Sequence, residues 1–295
     1  MSIIDLHIHS KISGDGEYTS SEIVNMCSRQ GMKLISITDH NSVRGIAEAM
    51  KTADSGLKVI PGIELDCIYG GRNFHLLGYK FDYTQSEFLT IEEDILRQER
   101  AASEEKIYLF RKVTGIALDE REIFAASDDG VVTGEMIAEI LLSKQNASQY
   151  EILRPYLPGG KKSDMPNVRF YWDFFSEGKP AYVPIHYISL PEAIALIKRA
   201  GGYAVIAHPA QNLRGEYSLL FDMFSEGIDG VEAFSSYHGK AASVCYYELA
   251  QLNHLLVTCG SDFHGKHKPR IKLGGHGAVW DDNKLLAGLE ESFLA

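Results

Sequence analysis

The chain has 295 residues, enough for one large domain or two modest ones. With 45% hydrophobic and 23% charged residues it is not a disordered chain, and no apolar run approaches the ~20 residues that a membrane helix requires. A formal charge of −11 makes it a poor partner for duplex nucleic acid, which is bound through many Lys and Arg contacts to phosphate; a small anion held at a bound cation remains open. The first third alternates strand and helix signals: strand Ile3–Ile8, helix Ser20–Gln30, strand Lys33–Thr38, helix Val43–Met50, strand Lys58–Leu65 bent at Pro61-Gly62, and strand Phe74–Tyr79. Between Ile91 and Gly178 the character changes. A charged helix over Ile91–Val113 is followed by helices at Glu120–Ala126 and Gly134–Leu142, and then by an aperiodic stretch, Ser143–Pro166. The αβ rhythm then resumes with helix Leu190–Ala200, strand Tyr203–Ala207, helix Tyr217–Ser225, strand Gly230–Phe234, helix Lys240–Asn253 and strand Leu255–Thr258.

This pattern gives a mostly parallel α/β fold, with interrupted repetition that suits a barrel better than an open sheet. Residues 1–90 and 179–295 form the body, and 91–178 form a mainly helical insertion lying over it as a lid. The cysteines (Cys27, Cys67, Cys245, Cys259) are scattered without a CxxC pair, and MSIIDLHIHS offers no basic leader before an apolar run. Both features read as reduced thiols in a cytoplasmic protein.

Chemistry gathers just after the short strands. DLHIHS supplies His7 and His9, with Asp15 following; TDHN supplies His40, PGIEL Glu64, FHLLGY His75, IAHP His208, and GSDFHG Asp262 and His264. Residues two apart in a strand share a face, so His7 with His9, and Asp262 with His264, can grip one ion. One HxH pair means little alone, and TDHN could be a helix cap. Imidazoles and carboxylates at the ends of successive strands are another matter, because those ends converge on one face of a barrel. Nine such ligands suffice for two or three divalent ions, and a set without cysteine suits Zn, Mn or Fe. Closely spaced ions of this kind can hold a hydroxide nucleophile and clamp a phosphoryl group.

Together these motifs resemble the polymerase and histidinol phosphatase (PHP) family of metal-dependent phosphoesterases, over roughly residues 1–80 and 180–265. The resemblance implies a distorted (β/α)7, TIM-like barrel with a di- or trinuclear centre. It assigns His7, His9, Glu64 and Asp262 to one metal, Glu64, His75 and His208 to a second, and Asp15, His40 and His264 to a third. The helical insertion followed by FFSEGKPAYVP is similar to the branch acting on nucleotides and other small phosphorylated molecules. That branch usually carries an Arg-containing motif where this chain has Gly134 and Glu135; a related subgroup opens a ribose cyclic phosphate.

The expected function is therefore hydrolysis of a small anionic phosphate ester, with Asp262 central to catalysis. His238 is a candidate proton donor and substrate contact, and Arg214 and Arg270 are candidate phosphate ligands. An amidohydrolase of C–N bonds is disfavoured, since no lysine sits at a strand end. A non-catalytic polymerase-associated module is disfavoured by the full ligand set.

Overall fold

The computed structural model describes residues 2–127, 130–213, 215–278 and 281–293. Strand β1 (Ile4–Ile8), buried along its whole length, pairs in parallel with β2 (Leu34–Ile37), which pairs in parallel with β3 (Lys58–Val59). Helix α1 (Ser20–Arg29) starts at a capping box: the Thr19 hydroxyl accepts from the Glu22 N–H at 3.2 Å, and the Glu22 carboxylate accepts from the Thr19 N–H at 2.8 Å. Helix α2 (Ile46–Thr52) covers the same sheet.

The expected strand Lys58–Leu65 is in fact two. Pro61 has no N–H to give to a ladder, so the chain leaves β3 there and enters β4 (Gly62–Tyr69), which belongs to a second sheet. Next comes β5 (Arg72–Tyr79), which is not a further parallel strand: it returns antiparallel along β4 through Gly70-Gly71. Both glycines have positive φ, +56° and +75°, as a two-residue hairpin turn demands. With β6 (Ile188–Ser189), β7 (Tyr203–Ile206), β8 (Gly230–Ser235) and β9 (Leu256–Gly260), the second sheet has the order β6-β4-β5-β7-β8-β9, parallel except where β5 pairs with its neighbours.

Backbone hydrogen bonds join the two sheets at both sides. Asn41 N–H donates to Glu64 O at 2.8 Å beyond β2, and Asp262 N–H donates to His7 O at 2.8 Å beyond β9.

Helices α3 (Ser86–Thr114), α4 (Glu120–Ala126), α5 (Gly134–Ser143) and α6 (Pro166–Phe174) build a second hydrophobic cluster around Phe110, Ile137, Leu141, Phe170 and Phe174. Helix α6 falls where no periodicity announced it. Pro166 opens it, at a position where the missing N–H costs nothing. Phe110 lies at 5.3 Å from both the Phe170 and Phe174 rings. The main core, which includes Leu6, Leu65, Leu76, Ile194, Val205 and Phe234, lies between the sheets and α7 (Leu190–Arg199), α8 (Pro209–Leu213), α9 (Tyr217–Ser225), α10 (Lys240–Leu252) and α11 (Asp282–Phe293). Helices α8 and α11 were not expected from the sequence. Among the described residues no helix is long and apolar enough to cross a membrane.

Strand β9 runs so close to β1 that a Cβ on Gly260 would lie 2.1 Å from the His7 Cβ and 2.7 Å from Glu232 Oε1. Gly260→Ala should therefore cost about 1–3 kcal/mol of stability. The check is the urea midpoint, which should fall; an unchanged midpoint would mean that the two strands can part without loss.

Candidate metal centre

Most candidate ligands reach the centre because of where their strands end. His7 and His9 leave β1 on one face, with Asp15 on the loop beyond; His40 follows β2, His208 follows β7, and Asp262 and His264 follow β9. Glu64 lies in β4. His75 is opposite Asp66 in the β4–β5 register, because the antiparallel course of β5 brings its beginning to the end at which parallel strands finish.

All nine residues come together, in groups whose ligand atoms lie within 4.8 Å of one another: His7, His9, Glu64 and Asp262; Glu64, His75 and His208; His9, Asp15, His40 and His264. A further group, His40, Asp66 and His75, brings in a carboxylate that the motifs did not single out. Asp66 is tied down by Asn41, whose amide donates to it at 2.6 Å.

The rings are held from behind. His7 Nδ1 donates to Glu232 Oε1 at 3.0 Å, His208 Nδ1 to Asn212 Oδ1 at 2.9 Å, and His264 Nδ1 to the Asp262 carbonyl at 2.9 Å. His9 Nδ1 donates to Ser13 Oγ at 3.0 Å, and the Ser13 hydroxyl in turn donates to Asp39 at 2.8 Å. Since each partner accepts, the proton sits on Nδ1 and the Nε2 lone pair faces inward.

Facing inward, most of these atoms find no hydrogen-bond partner among the described residues. Nε2 of His7, His9 and His264, Nδ1 of His40, Oδ1 of Asp15 and Oε2 of Glu64 are buried without a hydrogen-bond partner. Glu64 Oε2 lies 3.1 Å from Nε2 of both His7 and His9. Buried acceptors facing acceptors are costly unless a cation lies between them, and nitrogen with carboxylate oxygen is a donor set for Zn, Mn or Fe. The residues therefore fit divalent metal.

Electrostatics agree. Burial favours the neutral imidazole, but the Asp262 and Glu64 carboxylates outweigh it at His9 and hold that ring up at about 9, so that without a cation a second proton takes the inward Nε2 position. At His264 burial prevails and pushes the ring down to about 4, although Asp15 pulls the other way. Burial would also raise Glu64, yet His7 and His75 keep it well below the usual carboxylate range.

Backbone strain collects at the same place. His208 and Asp262 have φ of +24° and +59°, a conformation that costs a non-glycine residue about 1–3 kcal/mol. Hydrogen bonds hold both: His208 N–H donates to Glu232 Oε2 at 2.7 Å, and Asp262 N–H to His7 O at 2.8 Å. Glu232 thus fixes His7 and His208 together. A lone acidic residue in the apolar strand GVEAFS was the signal for it.

The cluster opens into a cavity of about 1340 Å³ lined from the body and from α3, α5 and α6, with Glu99, Lys106, Glu135, Tyr171 and Trp172 on the helical side. Lys268, which the motifs did not single out, also lines the cavity and donates to Asp262 Oδ2 at 2.6 Å; Tyr237 donates to the same oxygen at 2.5 Å. Oδ1 of Asp262 is left to face His9 Nε2 at 3.1 Å.

The softer candidates fare differently. His238 is not a free donor: its Nδ1–H is bound to Ala233 O at 2.9 Å, its Nε2 accepts from Ala210 N–H at 3.3 Å, and burial lowers its proton affinity. That pattern fixes a loop rather than a leaving group. Arg270 is 71% exposed and sits beside Asp164 at 3.5 Å, off the cavity wall. Arg214 lies outside the described residues.

Comparison with known proteins gives the same direction. The family model described as the PHP domain matches residues 5–153. A 5'-3' exoribonuclease of Haemophilus influenzae is 29% identical over 88% of this chain and 89% of its own length. A 3',5'-nucleoside bisphosphate phosphatase of Chromobacterium violaceum is 29% identical over 90% of this chain and 88% of its own. A solved structure from Bifidobacterium adolescentis, described as a metal-dependent phosphoesterase, has a TM-score of 0.73 at 25% identity, over 97% of this chain and 96% of that one.

Because His9 keeps its proton up to about 9 in the cation-free site, coordination must expel it at neutral pH. Affinity for Mn²⁺ should rise with pH, about tenfold per unit for each proton displaced, over the range below that value. Calorimetric titration in buffers of different ionisation enthalpy measures both the affinity and the protons released; a pH-independent affinity would contradict the arrangement.

Proposed function

This chain belongs to the PHP domain family and is a hydrolase of phosphoester bonds, and on that premise we propose that it releases phosphate from a small phosphorylated metabolite, a nucleotide or sugar phosphate, at a centre of two to three Mn, Fe or Zn ions. The observation that carries the proposal is the set of buried imidazole and carboxylate atoms turned toward one another with no hydrogen-bond partner among the described residues. His7, His9, Glu64 and Asp262 would hold one ion, Glu64, His75 and His208 a second, and Asp15, His40 and His264 a third, with Glu64 shared. When bound, such ions supply Lewis-acid polarisation of the phosphoryl oxygens and water of lowered pKa.

The chain's own residues do the rest. Glu232, Ser13 with Asp39, and Asn212 keep the imidazoles in one tautomer and one orientation. Lys268 and Tyr237 hold Asp262 by one oxygen so that the other stays inward. Lys268 is kept charged by Asp262 against the effect of burial, and sets a fixed positive charge on the cavity wall where an anionic ester must pass.

We read the two joined sheets as a distorted (β/α)7 barrel and residues 91–178 as the lid that selects substrate, since α3, α5 and α6 line one side of the cavity. The cavity is larger than the ~300–1,000 Å³ typical of small-ligand sites. It has room for a nucleotide, and the Haemophilus relative's name makes the end of an RNA strand a further substrate to present. The four free cysteines favour a reducing compartment such as the cytoplasm.

The decisive experiment is phosphate release from nucleotides, sugar phosphates, ribose cyclic phosphates and short RNA, before and after metal removal by chelation. Activity should vanish on chelation and return with Mn²⁺. His9→Ala and Asp262→Asn should each lower it by about 100-fold or more, with an unchanged circular-dichroism spectrum. Retained turnover in either variant would refute the proposed centre.

A further inference from the structure

Helix α5 begins at Thr133, whose hydroxyl accepts from the Met136 N–H at 3.1 Å, and its first turn forms part of the cavity wall. That turn cannot withdraw: a Cβ at Gly134 would lie 2.6 Å from the Phe175 ring and 3.0 Å from that of Tyr171. The next residue, Glu135, is only 8% exposed, yet it lines the cavity. Among the described residues no other side chain forms a hydrogen bond or ion pair with its carboxyl, which is held by its own backbone N–H. The two lysines within electrostatic reach are committed elsewhere, Lys106 to Glu99 and Lys268 to Asp262. Burial first, and Asp15 second, push the carboxyl up to about 8 in the cation-free protein; a cation held at Asp15 would remove the second cause and favour the carboxylate.

A helix start of this length would ordinarily welcome an anion from the ligand. Here the chain places its own carboxyl there. A phosphate at this point would face that carboxyl and Asp15, whereas an O–H from the ligand would supply a donor.

We propose that Glu135 is a specificity-determining residue: it accepts a hydrogen bond from a free hydroxyl on the alcohol portion of the ester, and it excludes a second phosphate from the space in front of α5. The chain therefore takes ribose-type monophosphate esters in preference to bisphosphorylated ones, unlike the substrate in the name of the Chromobacterium relative. This inference rests on the phosphoester-hydrolase reading above and narrows its substrate class.

The test compares adenosine 3'-monophosphate, adenosine 5'-monophosphate and adenosine 3',5'-bisphosphate on the Mn²⁺-loaded protein. Phosphate release and calorimetric binding are measured separately. The wild type should favour the better monophosphate over the bisphosphate by about tenfold or more in both kcat/KM and Kd. Glu135→Gln, which keeps shape and removes charge, should narrow the gap; Glu135→Arg should reverse it, with Mn²⁺ uptake unchanged in both.

A wild type that accepts the bisphosphate equally well or better, with ratios unmoved in both variants, would overturn the inference and leave the hydrolase reading intact. Discrimination in binding that shifts in the variants, with no ester turned over, would do the reverse. A melting curve on each variant separates loss of selectivity from loss of fold, and Glu135→Gln carries the test should Glu135→Arg fail to fold.

Discussion

The centre of this molecule is a place where like faces like. Six buried imidazole and carboxylate atoms, with Glu64 Oε2 among them, are turned toward one another and find no hydrogen-bond partner among the described residues. Without a cation such an assembly opposes folding, because each acceptor has given up water for nothing in return. The surroundings hold it together: Glu232 grips His7 and the backbone of His208, Asp39 orders Ser13 and so His9, and Lys268 with Tyr237 restrains Asp262. Strained backbone at His208 and Asp262 persists because these bonds over-determine it. Rigid presentation of unsatisfied ligands is what a metal-dependent phosphoester hydrolase needs, since the geometry then exists before ion and substrate arrive.

The architecture serves that requirement by unequal means. Parallel strands deliver His7, His9, His40, His208, Asp262 and His264 at their carboxyl ends, in keeping with general α/β logic. His75 could not arrive that way. It comes on a strand that runs backward from a Gly-Gly turn, so its beginning lies where its neighbours end. The helical segment with its own aromatic core around Phe110 then closes one side of the cavity and brings Glu135 and Lys106 toward the cluster. The candidate metal ligands and the helical wall of the cavity thus come from different parts of the chain and meet across a gap.

Much of this was legible in the residue order. The strand ends and their histidines can be read directly because strand periodicity and ligand chemistry are local, and the helices Glu120–Ala126 and Tyr217–Ser225 lie where periodicity put them. The hairpin was written in Tyr69-Gly70-Gly71-Arg72 but overlooked, since the surrounding alternation suggested parallel units. His238 looked like a free acid after a strand end; only the fold shows that Ala233 and Ala210 occupy both its nitrogens. Lys268 was passed over in favour of more exposed neighbours, although it is the cation that reaches Asp262.

By itself the sequence determined the candidate ligands other than Asp66, the order of most strands and helices, and the family to which the chain belongs, because each depends on residue type at short spacing. Tertiary structure decided which nitrogen of each ring faces inward, which carboxylates stand behind them, where β5 runs, and that Glu135 ends up buried at the cavity wall. Those outcomes depend on distances between segments as far apart as His7 and Glu232 or Asp15 and Glu135. No local pattern encodes such distances; they are set by how two sheets and a helical cluster close on one another.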